Sequence, residues 1–202
     1  MGYTTDFIGH IDIAPGLNAN EIAYLTAFSE SRRFVRPGGP YEVPGNPRAE
    51  TSDGIAVADY NRPPAGQPGL WCDWVPCWDG CCLAFNGNEK FYDPTSWLRY
   101  LVRHFLAPGA PASRTPDHRL RGFTFNHVLD GMVVGCRRDN KELYAIVVRN
   151  NRVRERVLRP SKPADVDRPP LPYELASDRR ASEGRRRGTT RGGLATVTPI
   201  SS

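Results

Sequence analysis

Four cysteines lie within residues 69–108, and their type raises the question of metal or redox chemistry. They are Cys72, Cys77, Cys81 and Cys82, with four, three and zero residues between successive members. Structural zinc sites favour cysteine pairs separated by about two to four residues on tight turns. Adjacent cysteines on a strand point to opposite faces, so Cys81 and Cys82 would need His104 or His127 to complete a ligand set. The four cysteines are candidate metal ligands, but we predict free buried thiols without a metal or cofactor.

A catalytic cysteine is a second chemical possibility, and it requires a base within reach of the thiol. Cys136 precedes Arg137 and Arg138, whose positive charges would favour a reactive thiolate. No motif places any of the candidate bases, which are His10, His104, His118 and His127. The sequence contains no GxSxG, HExxH, Walker-type or GxGxxG signature, so hydrolase and nucleotide-binding functions have no motif to support them. The sequence therefore favours a protein that is not an enzyme.

Carboxylates also crowd the cysteine-containing segment. Asp73, Asp79, Glu89 and Asp93 lie within 21 residues of one another. Paired acids can do acid–base chemistry when their surroundings separate their pKa values. Turn formation explains Asp79 and helix capping explains Asp93, and Glu89 next to Lys90 indicates an exposed charge pair. We assign no catalytic role to these residues.

Aromatic and basic side chains define a candidate binding surface. Its predicted members are Trp71, Trp74, Trp78, Arg137, Arg138, Arg152, Arg154 and Arg156. Tryptophans can stack on nucleic-acid bases, although core packing is their more common use. Alternation along a strand would place the arginines at 152, 154 and 156 on one face, where they could contact phosphates together with Arg185–Arg187 of the tail. A solvated strand face is the simpler interpretation.

The net charge of +5 is unevenly distributed along the 202 residues. Residues 1–151 have a net charge of −1, whereas residues 152–202 have a net charge of +6. The 24 arginines against 3 lysines are typical of a protein from a GC-rich bacterial genome. The N-terminal residues lack a signal-peptide pattern and no apolar run is long enough to span a membrane, so we predict a soluble cytoplasmic protein.

Local patterns predict two helices. Asn18 followed by Glu21 is a capping box, and it predicts a helix that reaches about Arg33. Asp93 followed by Pro94 predicts the start of a second helix. The apolar side chains of that helix form one stripe, Trp97, Leu98, Leu101 and Phe105, and it should stop near residue 107.

Period-two alternation and β-branched residues predict the strands. The first covers residues 3–13, followed by strands at 70–75, 81–86, 122–136 and 142–149, with a last one at 152–158. Residues 37–69 are rich in proline and glycine and predict a long loop with a short strand at 55–60. The fold class is therefore α+β: a mostly antiparallel sheet of about five strands with two amphipathic helices on one face. We predict a single domain over residues 1–159 and a disordered basic tail over 160–202.

Several segments together resemble a small family of bacterial and phage proteins for which no activity is established. They are GLWCDWVP at 69–76, NGNEKFYDPTSWLRYLVRHFLAP at 86–108, GYTTDFIG at 2–9, SRR at 31–33, and DGMVVG with IVVRNNRV within 130–153. The resemblance covers about residues 2–154. Cys72 matches the family pattern, whereas cysteines at 77, 81 and 82 are not expected there. The resemblance thus implies no shared four-cysteine metal site, and it implies an accessory tail.

Three functions follow as hypotheses. The first is a non-enzymatic binding or accessory protein of mobile-element origin that uses the 37–69 loop and the aromatic segment to bind a protein partner. The second is a nucleic-acid-binding protein that uses the arginine-rich strand and tail. The third is a thiol- or zinc-dependent enzyme. No membrane partner is expected.

Overall fold

In the computed structural model, residues 3–47, 50, 54–166 and 168–190 are described. A six-stranded sheet with the order β2-β3-β1-β4-β5-β6 forms the centre, and every neighbouring pair is antiparallel. The strands are β1 (Thr5–Ala14), β2 (Trp74–Pro76), β3 (Cys82–Phe85), β4 (Val128–Arg137), β5 (Leu143–Arg149) and β6 (Arg152–Arg159). The predicted α+β class is confirmed, and each of the six strands overlaps one of the ranges predicted from the sequence.

Two helices pack on one face of this sheet, and both begin at predicted residues. Helix α1 (Ala19–Glu30) has the expected capping box, with Asn18 and Glu21 bonding each other's backbone N–H groups. Helix α3 (Pro94–Leu101) continues as a π-helical turn, Val102–Leu106. Asp93 precedes it in the left-handed region (φ 52°) and its side chain makes no capping bond. Asp93 therefore marks the helix start without capping it.

The hydrophobic core lies between the helices and one face of the sheet. Its fully buried side chains include Ile11, Phe28, Leu83, Trp97, Leu98, Phe105, Leu129, Val133, Ile146 and Val148. The opposite sheet face is open: Ile8 is 78% exposed and Met132 is 51% exposed. We call this surface the open face.

The 37–69 segment is mostly irregular and contains the four-residue helix α2 (Val57–Tyr60). The prediction of a strand at 55–60 is wrong, because Tyr60 and Asn61 donate their backbone N–H groups to Ala56 and Val57 within the same short segment. Tyr41, Val43 and Gln67 are buried, so the segment packs on the core instead of projecting into solvent.

The described residues up to Val166 form one compact unit, and those from 168 onward belong to a second. The first unit extends beyond the predicted boundary at 159 because the Arg159 guanidinium bonds both the Lys141 carbonyl and the buried Asp165 carboxylate, each at 2.7 Å. Within the predicted tail, the second unit contains helix α4 (Pro172–Thr190). Residues 191–202 lie outside the described residues, so disorder there stays a prediction. Among the helices of the described part, none is long and apolar enough to cross a membrane.

Candidate functional site

A groove of about 900 Å³ opens between the 37–69 segment, the residues before β2 and the chain between β3 and α3. These are the parts of the chain in which the sequence predicted a binding surface. The groove is lined by Asn61, Pro63, Gly69, Leu70, Trp71, Asp73, Asn88, Glu89, Lys90, Tyr92, Asp93 and Trp97.

Arg33 fixes the loop that forms one wall of the groove. Its guanidinium is fully buried over the Phe28 ring and donates to the carbonyls of Pro40 (2.7 Å) and Glu42 (3.0 Å) and to the Gln67 side chain (3.3 Å). Burial lowers the pKa of Arg33 to about 10, so the group remains charged at neutral pH. We call Arg33 and these partners the loop anchor. The sequence assigned Arg33 to the end of α1, which instead stops at Glu30.

Arg32 supports the aromatic wall of the groove. Its guanidinium lies 4.6 Å from the Tyr60 ring centroid and 5.7 Å from that of Trp71, and it donates to the Tyr60 carbonyl and the Asn61 side chain. Trp71 is 44% exposed and Tyr92 is 42% exposed. Both rings therefore offer apolar surface to a ligand in the groove.

Three carboxylates line the same groove. Asp73 is almost buried, and its Oδ1 accepts hydrogen bonds from the Asn86 and Asn88 side chains, both at 3.0 Å. Asp93 and Glu89 are exposed, and within the described part of the chain neither side chain forms an ion pair. Lys90 is the only cationic side chain among the lining residues, and the Arg32 guanidinium lies behind Trp71 and Asn61. Three carboxylates against these two cations leave the groove with an excess of negative charge.

The tryptophans of the predicted surface divide between interior and exterior. Trp74 is 1% exposed and its Nε1 donates to the Pro94 carbonyl at 2.8 Å, which links β2 to α3. Trp74 therefore belongs to the core, and its assignment to a binding surface was wrong. Trp78 is 90% exposed in the turn between β2 and β3, so of these three tryptophans Trp71 alone lines the groove.

The predicted arginines divide in the same way. Arg137 pairs with Asp139 and lies over the Tyr3 ring, while Arg138 pairs with Asp6 through two hydrogen bonds of 2.8 Å. Both side chains are half-buried and lie at the end of β4. Their use in these pairs leaves little of their charge for a partner.

Four other arginines form a row on the open face. The register places Arg152 opposite Arg149, and Arg154 and Arg156 opposite Val147 and Ala145. Directly opposed residues project to the same side of a sheet, whereas Val153 and Glu155 face the helices. Among the described residues, none bonds or pairs with a side chain of this arginine row. Arg185–Arg187 lie where side chains are not described.

The cysteines occupy three environments. Cys72 is fully buried, and burial raises the pKa of its thiol to about 12. Cys136 is half-buried on β4. Cys77, Cys81 and Cys82 have sulfurs within 4.8 Å of one another. The argument that Cys81 and Cys82 point apart was wrong, because β3 begins at Cys82 and Cys81 lies in the preceding bend.

Each histidine is engaged with a group other than a cysteine. His104 Nδ1 bonds the Tyr41 hydroxyl at 2.7 Å, and His10 and His118 lie beside Asp12 and Asp117. His127 is buried against Glu21, 3.0 Å from its Oε1, and bonds the Pro15 carbonyl at 2.7 Å. The capping-box signal at Glu21 indicated the helix start, but nothing local to the sequence indicated this contact with residue 127.

Comparisons of the chain with protein-family models, with curated protein sequences and with solved structures found no significant match. The resemblance described above therefore stays a prediction, and the function has to be argued from the groove and the open face.

Proposed function

We propose that the protein is a non-enzymatic binding protein whose groove takes a positively charged ligand. One observation carries the proposal: two half-exposed aromatic rings and three carboxylates line the same groove. Aromatic faces attract a cation by about 0.5–2 kcal/mol, depending on its desolvation. An exposed carboxylate beside the same cation, such as Glu89 or Asp93, adds about 0.2–1 kcal/mol.

Trp71 already has a cationic neighbour within the protein, the Arg32 guanidinium. The shape of the groove fits the chemistry as well, since concave sites lined by aromatic rings and a few polar groups are where small ligands bind. The same chemistry would hold a cationic side chain of a protein partner. The sequence favours a binding or accessory protein with a protein partner, and the groove lining supports this proposal.

Choline and its uncharged isostere 3,3-dimethylbutan-1-ol test the proposal in matched calorimetric titrations. We expect choline to bind at least about tenfold more tightly, a difference of about 1.4 kcal/mol. Trp71→Ala and the double variant Glu89→Gln/Asp93→Asn should each weaken choline binding. Trp78→Ala removes an exposed tryptophan outside the groove lining and should not. Equal binding of the two compounds, or unchanged choline binding to Trp71→Ala, would contradict the proposal.

A second function has its own supporting observation, the arginine row. We propose that this row binds phosphates of a nucleic acid. The three arginines of β6 are spaced by roughly 7 Å along the strand, since each strand residue advances about 3.4 Å. A shallow depression of about 460 Å³ lined by Arg149, Arg152 and Arg154 lies beside them.

Fluorescence anisotropy with a labelled oligonucleotide at several salt concentrations tests this second function. The binding constant K falls as salt increases, so the slope of log K against log salt is negative. Removing three arginine–phosphate contacts should make this slope shallower by roughly 2–3. The variant Arg152→Gln/Arg154→Gln/Arg156→Gln should show this change. Arg62→Gln/Arg114→Gln/Arg121→Gln removes the same charge from exposed positions elsewhere and should bind like the unmodified protein. Equal losses of oligonucleotide affinity in both triple variants would show that net charge alone causes the binding, and would contradict a specific role of the arginine row.

A further inference from the structure

Three thiols converge at the turn between β2 and β3, away from the groove lining. The sulfurs of Cys77, Cys81 and Cys82 lie within 4.8 Å of one another, and the Cys77 and Cys81 sulfurs are 3.5 Å apart. Zinc–sulfur bonds of about 2.3 Å at tetrahedral angles require sulfurs about 3.8 Å apart. A single ion could therefore reach all three sulfurs after small side-chain adjustments.

The backbone holds the three residues in this arrangement. The Gly80 N–H donates to the Cys77 carbonyl at 3.1 Å, and the Cys77 N–H donates to the Cys82 carbonyl at 3.0 Å. The Cys82 N–H donates to the Cys77 sulfur at 2.8 Å. A backbone donor aimed at sulfur orients the ligand and stabilises negative charge on it.

Gly80 anchors the turn to the rest of the sheet. It has a positive φ of 73°, and a side chain there would place a Cβ 2.5 Å from the Leu17 carbonyl oxygen. The Leu17 N–H bonds the Gly80 carbonyl at 2.9 Å, and the Ile13 N–H bonds the Cys81 carbonyl at 2.8 Å. The turn is thus pinned against the end of β1, and its geometry does not depend on a ligand.

Core packing does not explain these thiols. Cys72 shows how a packed cysteine looks, fully enclosed by apolar side chains. In contrast, Cys81 is exposed and Cys77 and Cys82 are half-buried. The Asp79 carboxylate accepts the Cys81 N–H at 3.3 Å and lies within hydrogen-bonding reach of the Cys77 and Cys81 thiols. An oxygen ligand is therefore available beside the three sulfurs.

We propose that Cys77, Cys81 and Cys82 bind one thiophilic metal ion of the Zn²⁺ class, with Asp79 or a water molecule as the fourth ligand. Sulfur-rich sites select zinc and other soft cations over magnesium or calcium. The ion replaces the thiol protons, which pass to solvent. The metal would cross-link residues 77, 81 and 82 of a turn that the backbone already holds in place. This site is independent of the groove ligand.

The full chain, reduced and freed of metal by chelator, is titrated with Zn²⁺ against a chromophoric chelator, and with Co²⁺ to record thiolate-to-cobalt absorption. We expect one ion per chain and a charge-transfer band typical of several thiolates. Cys77→Ser, Cys81→Ser and Cys82→Ser should each lower zinc affinity at least tenfold. Cys136→Ser is the matched control and should leave it unchanged. Asp79→Asn tests the fourth ligand. A loss of zinc affinity smaller than that of the cysteine variants indicates that the carboxylate binds the ion, and an unchanged affinity indicates a water molecule.

Cys81 is exposed, so Cys81→Ser should fold normally, which far-ultraviolet circular dichroism verifies. Absence of zinc binding by the reduced protein would overturn the proposal. Zinc binding of equal strength by the folded Cys81→Ser variant would overturn it as well.

Discussion

Arginine has opposite environments in two regions of the molecule, the loop anchor and the arginine row. In the loop anchor the Arg33 guanidinium is fully buried and bonds two carbonyls and the Gln67 side chain. In the row, four guanidinium groups project from the open face, and no partner for them exists in the described part of the chain. Both regions carry positive charge, but only the row can offer its charge to a partner.

The difference teaches that pairing, more than net charge, determines which of these arginines keeps its charge available to a partner. A buried charge is very unfavourable unless its hydrogen bonds are made, so the fold determines the surroundings of Arg33. An exposed arginine loses little when it has no partner. Arg137 and Arg138 show the intermediate case, since their ion pairs with Asp139 and Asp6 use the charge locally.

The largest effect should come from removing the loop anchor. Arg33→Ala removes the guanidinium that donates to the Glu42 carbonyl and the Gln67 Oε1, and leaves the Pro40 carbonyl with only the Gln67 amide as a donor, and we expect a loss of about 3 kcal/mol or more in the free energy of unfolding. Arg33→Lys keeps the charge but not the planar array of donors, so it should lose an intermediate amount. Urea denaturation measures both, with Arg154→Ala as the matched control.

The loop anchor also positions the groove wall, so choline affinity should fall in Arg33→Lys even where the protein remains folded. A loss below about 1 kcal/mol in the unfolding free energy of Arg33→Ala would contradict the difference between the loop anchor and the arginine row.

A buried acid gives the next largest effect. Burial alone would raise the pKa of Glu21, but hydrogen bonds from the backbone N–H groups of Thr124 and Asn18, and from His127, outweigh it and hold the pKa below its ordinary value. In Glu21→Gln, an amide N–H₂ group replaces one of the two carboxylate oxygens, so a donor faces the donors that this oxygen had accepted from. We expect a loss of about 2 kcal/mol in the free energy of unfolding.

The Glu21 carboxyl also makes stability depend on pH. Its pKa is lower in the folded than in the unfolded state, so its contribution is complete above about pH 4.5 and disappears as the pH falls through the folded-state value. Urea unfolding between pH 3 and pH 7 measures this, and Glu21→Gln should show a weaker decline at acidic pH. Parallel declines in the two proteins would exclude Glu21 as the source.

Local sequence patterns were sufficient to predict most of the helices and strands. The capping box at Asn18 and the alternation of residues 3–13 depend on residues close in sequence, and the structure has α1 and β1 there. The face shared by Arg152, Arg154 and Arg156 also follows from alternation alone, and the register with β5 agrees with it.

The sites depended on contacts that no local pattern contains. Arg33 meets Gln67 across 34 residues, and Glu21 meets His127 across 106. The three-thiol turn was missed because alternation was applied to Cys81, which lies before the strand begins. Trp74 was assigned to a surface because a tryptophan packs inside or stacks outside according to its neighbours in space.

The smallest effect on stability should come from the arginine row. The variant Arg152→Gln/Arg154→Gln/Arg156→Gln should change the free energy of unfolding by no more than about 0.5 kcal/mol, since exposed side chains without partners contribute little. Removing three like charges that neighbour one another on a strand could even stabilise the fold slightly, because opposed or adjacent like charges repel. Urea denaturation at low and high salt distinguishes the two results: a stabilisation from relieved repulsion should shrink as salt screens the charges. A loss above about 1 kcal/mol in the free energy of unfolding would mean that these arginines stabilise the fold as Arg33 does. That result would contradict the proposal that the open face binds a partner.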